Sequence, residues 1–296
     1  MIEDIFKESP MVLYEFLLLN PLTILYTERK KTTLNEWQNY SNLLIDKFAI
    51  HSGSFFHLSE GLIEHNNSTE ERKVFGYDLF TVNSTFRAIM ETYATFYHIY
   101  VEPASEEERE FKFLLWKIDG LCEKKRFIIN ESDFEGVKEI LIKDRELLCK
   151  TTKQFETCSF YKKISDTELE KIYNTSKNRY KWRFTYINEV IKPFTITELV
   201  THTFKRRGFI NLYKYTSIHI HSNYYSIEDF EKHRGKEVSR EYTDPLIRMA
   251  ILTTLLIMDD ISRMDKNVEQ VFNSFTPELK NFIRGMSQTI RSSNND

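Results

Sequence analysis

Glycine and proline are scarce in this chain, at 8 and 6 of 296 residues. All-β architectures are dense in turns, and turns draw on these two residues, so the shortage disfavours them and points to helices. The glycines also stand singly, which leaves no Gly-rich loop to cradle a nucleotide phosphate. There are three cysteines, Cys122, Cys149 and Cys158, odd in number and without metal-type pairing. That argues against a disulfide framework or a Cys-based zinc site, and it fits a reducing cytosol. The most apolar stretch, Met249 to Met258 between Arg248 and Asp259, falls well short of the ~20 residues a membrane helix needs. It reads as a core helix, and no membrane partner is expected. The N-terminus, MIEDIFKESP, is acidic and polar, the wrong character for a signal peptide. Net charge is only -3, so no global field steers the protein to nucleic acid, and such binding would need a local patch.

What is present is ample material for a core: 41% apolar and 29% charged residues, with 23 Phe and 16 Tyr. Apolar residues recur three to four apart from Leu34 to about His65, with a possible interruption at Gly53, and again from Phe75 to Val101. Met11 to Leu19 forms a short helix between Pro10 and Pro21. Asn66 to Arg72 reads as a polar connection. Pro103 ends the second long helix, because a residue before proline is pushed out of helical geometry. Ser105 then caps a helix whose first turn, Glu106 to Glu108, suits the helix dipole. Further helices are expected from Ser132 to Cys149, Ser165 to Tyr173, Thr195 to Phe204, Phe209 to Tyr224, Thr243 through Met258, and Pro277 to Ile290. No repeat and no strand pair with a tight hairpin turn is evident. The expected fold is all-α, a bundle of about nine to eleven helices in one continuous domain. Residues 1–65 would supply N-terminal helices, 75–225 a core, and 244–291 C-terminal helices packed on it.

Three constellations carry chemistry. Arg87 and Glu91 stand four apart, so they share a helix face and can pair. On so apolar a helix a buried charge without partners would cost roughly several kcal/mol. The pair is therefore either a structural ion pair or an arginine held ready for a phosphate or oxyanion. Tyr213, Ser217 and His221 follow at the same spacing on a later helix. His221 is suited to proton transfer near neutral pH, but Ser217 lacks an elbow motif, so a capping or core-edge histidine is the plainer reading. His219 lies two residues from His221 and points the other way, so the two do not chelate together; no metal site and no cofactor is expected. In the third, Lys177, Arg179, Lys181 and Arg183 interleave with Tyr180, Trp182 and Phe184, the ingredients of single-strand recognition. Lys205, Arg206 and Arg207 add a second basic cluster. The alternative is a solvated loop anchored by its aromatics.

The order Arg87-x-x-x-Glu91, Trp182, Ile196-Thr197-Glu198-Leu199, then Tyr213-x-x-x-Ser217-x-x-x-His221 resembles a bacterial all-helical family of unknown function, over residues 75–225. That family tends to carry Ser-Gly after its Trp, where this chain has Arg183-Phe184. The arrangement is also similar, more distantly, to HEPN proteins, many of them metal-independent ribonucleases of toxin and antiviral systems. The resemblance implies an Arg-x(4–6)-His motif in an active member, yet Arg207 lies too far before His219. A ribonuclease site would have to join Arg87 to His221. Two functions are thus expected to compete: a non-enzymatic interaction or assembly component of a prokaryotic defence system, or a metal-independent ribonuclease. The aromatic load favours a protein partner or homo-oligomer, with RNA a possible ligand of the 177–184 segment.

Overall fold

A computed structural model describes residues 9–65, 72–76, 78–124, 136–174, 179–221, 224–233 and 242–292. It is predominantly helical, as expected, with thirteen α-helices and only small two-stranded sheets among the described residues. Its contacts gather into two compact units. The first comprises Met1–Phe96 and Val200–Asp296, and the second Tyr97–Leu199.

The first unit is built on α11 (Asp244–Met264), begun by Pro245 in its first turn, a position where a missing N–H costs nothing. From Leu246 to Ser262 it is nearly all buried, including the apolar run anticipated as a core helix. Around it pack α1 (Pro10–Leu17), α2 (Thr23–Arg29), α4 (Leu79–Phe96), α12 (Lys266–Ser274) and α13 (Pro277–Ser292). Pro21 does not end the first helix. It lies in a π-turn, Leu18–Leu22, through which α1 continues into α2. The disturbed carbonyls are partly recovered by side chains: Thr23 Oγ1 donates to the Leu18 carbonyl at 2.7 Å and Asn20 Nδ2 to that of Phe16 at 3.3 Å.

Helix α3 (Glu36–Ser59) runs unbroken through Gly53 and packs on α4. Its start is fixed by a reciprocal capping box between Asn35 and Gln38. It stops earlier than expected, because Leu62–His65 (β1) pairs antiparallel with Arg72–Gly76 (β2). Residues 66–71 of the expected connection lie outside the described residues. Against α4 also lies α9 (Arg207–Ile220), and α10 (Tyr224–His233) follows it in the chain.

The second unit opens with a π-turn, Tyr97–Val101. Then come α5 (Glu106–Lys124), capped by Ser105 Oγ on the Glu108 amide, and α6 (Val137–Thr157), which packs on it. Residues 125–135, which include the expected end of one helix and start of the next, lie outside the described residues. After α7 (Asp166–Ile172), where no further helix was expected before Thr195, the chain forms strand pairs: β3 (Tyr173–Asn174) with β4 (Arg179–Tyr180), and β5 (Phe184–Ile187) with β6 (Val190–Pro193). The second pair is a tight hairpin, contrary to expectation. Its two-residue turn is Asn188-Glu189, both at positive φ (50° and 65°), the geometry that matches strand twist. The expected helix after Pro193 is α8 (Ile196–Phe204).

Candidate functional site

Helices α4 and α9 lie side by side in the first unit, and four of the five residues of the expected polar stripe meet between them. Arg87 Nε donates to Glu91 Oε1 at 2.7 Å, and its Nη1 donates to Ser217 Oγ at 2.7 Å. The Tyr213 hydroxyl donates to the same Glu91 oxygen at 2.7 Å. Ser217 Oγ donates in turn to the Tyr213 carbonyl at 2.9 Å. The Arg87 guanidinium also sits over the Tyr213 ring, 4.7 Å from its centroid. Burial works against the Arg87 cation, but Glu91 and Tyr213 outweigh it and hold the pKa above its ordinary value. Burial and the neighbouring Glu91 carboxylate raise the Tyr213 phenol well above its usual range. A neutral phenol and a fixed cation thus converge on one oxygen of Glu91. The Arg87 and Glu91 side chains are part-exposed, at 21% and 34%.

His221 is not part of this cluster. Helix α9 ends at Ile220, and His221 is its C-cap with φ −99° and ψ 130°. The four-residue spacing therefore stops having helical meaning one residue too soon, and the imidazole is exposed to solvent. The buried histidine of this helix is His219, at 2% exposure. Its ring packs by Tyr215 at 4.4 Å and Phe80 at 6.5 Å between centroids. Its Nε2 lies 3.9 Å from Asp229 Oδ2, beyond hydrogen-bond reach. Burial lowers the His219 pKa, and it raises that of Tyr215 to about 12.

The basic-aromatic segment lies in the second unit. Lys177 and the Arg179 side chain are outside what the structure describes. Lys181 is exposed, but Trp182 and Phe184 are core residues, at 6% and 0% exposure. Trp182 packs on His98, and Arg183 lies 5.0 Å from the Trp182 ring. Tyr180 packs on Phe155 and Tyr173. These aromatic faces are engaged within the unit, as in the anchored-loop alternative. The second basic cluster belongs to the first unit. Lys205 and Arg207 are exposed, and Arg206 donates to the Thr289 carbonyl.

Two charged networks escaped the sequence reading. In the first unit, Asp259 and Asp260 are buried side by side on α11. Arg291 of α13 bonds Asp260 through Nη2 and reaches Asp259 Oδ2 with Nη1 at 3.5 Å. The Tyr93 hydroxyl donates to Asp260 Oδ2 at 2.9 Å, and Arg263 binds Asp259 at 2.9 Å. Burial, only partly offset by Arg291, pushes the Asp260 carboxyl up to about 6. Two adjacent acids closing an apolar run were the available signal. In the second unit, His98 Nδ1 lies 2.7 Å from Glu102, whose Oε2 also meets Lys112 Nζ at 3.1 Å. The His98–Glu102 spacing of four was legible. Burial first, then the Lys112 cation, lowers the His98 pKa to about 4.

Among the described residues, no group of three or more His, Cys, Asp or Glu side chains could hold a metal ion. No protein-family model, curated protein or solved structure matches the chain.

Proposed function

We propose that this protein is a non-enzymatic helical interaction component, acting through a protein partner in the cytoplasm. The supporting observation is the closure of the α4–α9 cluster. Arg87, Glu91, Tyr213 and Ser217 bond to one another, while His221, the one proton-transfer group expected beside them, caps the helix and faces solvent. A ribonuclease centre needs a histidine within reach of the reacting oxygen and an arginine free to meet phosphorane charge. A closed network instead serves to lock two helices together, since buried polar groups are costly unless paired. Helix α10 supplies an interaction surface: Tyr224 is 82% exposed, with Tyr225, Ile227 and Phe230 exposed beside it. An apolar face of this kind marks an interface more often than free surface. The setting in a prokaryotic conflict or antiviral defence system comes from the family resemblance.

The test is cleavage of end-labelled single-stranded RNA by the purified chain, beside Arg87→Ala and His221→Ala, with thermal melting of each. The interaction reading expects no cleavage, a native melt for His221→Ala and a lowered one for Arg87→Ala. Cleavage that disappears in a natively folded His221→Ala protein would overturn it.

A further inference from the structure

Helix α10 is seated on α9 over a buried histidine. His219 is 2% exposed, and its Nε2 has no hydrogen-bond partner among the described residues. From α4 the ring meets Phe80, from α9 the phenol Tyr215, and from α10 the phenol Tyr225 and the carboxylate Asp229. Asp229 is the charged group among these neighbours, and its Oδ2 stands 3.9 Å from Nε2, too far for a hydrogen bond. Closing that gap would draw Asp229 away from Tyr215, with which it is hydrogen-bonded.

The seat suits a neutral imidazole, packed as one ring among others. An imidazolium has two N–H donors to satisfy, and a buried cation without a bonded acceptor is strongly disfavoured. Water supplies that acceptor once α10 lifts, because Tyr225 and Asp229 are part of the cover. The lowered His219 pKa has the same origin, burial only partly offset by Asp229. The contribution of the seat is therefore complete above pH ~6.5, the ordinary histidine value, and is lost as pH falls below it. The helix has little stability of its own, since ten residues are marginal as a helix in water once their packing is gone. Its first turn stays tethered to the end of α9, where Ser226 Oγ donates to the His221 carbonyl at 3.0 Å.

We propose that His219 is a pH latch for α10: neutral, it seats the helix against α9, and on taking up a proton in mildly acidic solution it releases the helix and dismantles its exposed aromatic face. This regulation rests on the reading of α10 as the interaction surface.

The test is hydrogen exchange of the full chain at pH 7.5 and 5.0, read on the amides of α10 against those of α11 and corrected for the intrinsic pH dependence of exchange. Opening of α10 is expected to rise at least about threefold in acid, within the limit of about tenfold per pH unit for one proton, while α11 stays level. His219→Phe keeps a ring and removes the titration, so its α10 should stay level between the two pH values. Asp229→Asn keeps the histidine and removes the carboxylate that helps it hold a proton, so its acid response should be at least as large as the native one. An α10 equally protected at both pH values, a response that survives in His219→Phe, one that vanishes in Asp229→Asn, or α11 opening in step with α10 would each overturn the proposal. None of these readouts needs a partner, so the latch can fail while the α10 surface stands. RNA cleavage by the chain would instead overturn the interaction reading and leave the latch in place.

Discussion

Replacing Arg291 by methionine isolates the cost of the buried acid pair in the first unit. The substitution keeps most of the apolar stem against its neighbours and removes only the guanidinium. Asp259 would keep Arg263, which contacts it at 2.9 Å. Asp260, 1% exposed at its side chain, would keep, among the described residues, only the Tyr93 hydroxyl at 2.9 Å as its donor. The loss therefore falls on a single desolvated carboxylate. Removing one partner of such a pair costs about 3–5 kcal/mol, and the retained hydroxyl bond places this case near ~3. For a unit of this size that is a drop in Tm of about 6–12 °C. Urea denaturation of Arg291→Met, Asp260→Asn and the double variant at pH 7.5, followed by far-UV circular dichroism, gives the coupling directly. The double variant should regain about 2 kcal/mol or more over Arg291→Met, because a neutral amide needs no counter-charge. Lowering the pH should also rescue the single variant. The Asp260 pKa already stands near 6 beside Arg291, and without the cation it rises further, so protonation restores stability as pH falls. A loss under about 1 kcal/mol, or a double variant no better than the single, would refute this account.

The other expectations concern smaller features. Tyr213→Phe removes the 2.7 Å bond to Glu91 and should cost about 1.5 kcal/mol in urea denaturation, the low end for a bond to a part-exposed charge. Glu189→Gly relieves a left-handed turn residue (φ 65°); the relief of ~1–2 kcal/mol less the glycine entropy should leave a gain of about 0.5–1, read as a higher Tm. The buried His98, with its pKa lowered to about 4, binds its proton in the unfolded chain before the folded one. Its stability contribution is complete above pH ~6.5 and is lost as pH falls toward 4, by up to about 3 kcal/mol. Hydrogen exchange of second-unit amides across that range should show this slope, and His98→Gln should flatten it.

Most of the helical layout was legible because apolar spacing and caps are local. Ser105, Ser165 and the Asn35–Gln38 box start helices through bonds to residues three positions away. The Arg87–Glu91 and Tyr213–Ser217 pairs were legible for the same reason, four residues being one turn. That rule failed at His221, since the sequence carries no sharp stop signal after Ile220. The turn at Asn188-Glu189 was hidden because it lacks the glycine that ordinarily announces a two-residue hairpin. In the segment Lys181 to Phe184, the alternation of basic and aromatic residues has a period of two. In extended backbone that sends Trp182 and Phe184 inward and Lys181 outward, so a pattern read as a stacking platform is equally the pattern of a half-buried extended run. The Arg291 clamp was invisible for a different reason. Its partners lie 31 and 198 residues away along the chain, and no local rule links them.

The histidines bear most directly on the choice between catalysis and interaction. General acid–base chemistry near neutrality asks for an imidazole that titrates near the working pH and can reach both solvent and a substrate. His98 is fully buried, held neutral by burial and Lys112, and its ring nitrogens face Glu102 and the Trp182 carbonyl. His219 is buried among Tyr215, Phe80 and Tyr225, with its pKa lowered. His221 has the exposure but stands past the end of the helix that carries Ser217 to Arg87. Burial thus withdraws both His98 and His219, and His221 is withdrawn by its place beyond the helix end. The arginine that would steady an oxyanion is engaged at two of its three nitrogens, Nε on Glu91 and Nη1 on Ser217. The first unit does present an exposed aromatic face on α10. Exposed apolar surface favours association, which is why a partner is sought there before a bond-breaking reaction is sought at Arg87.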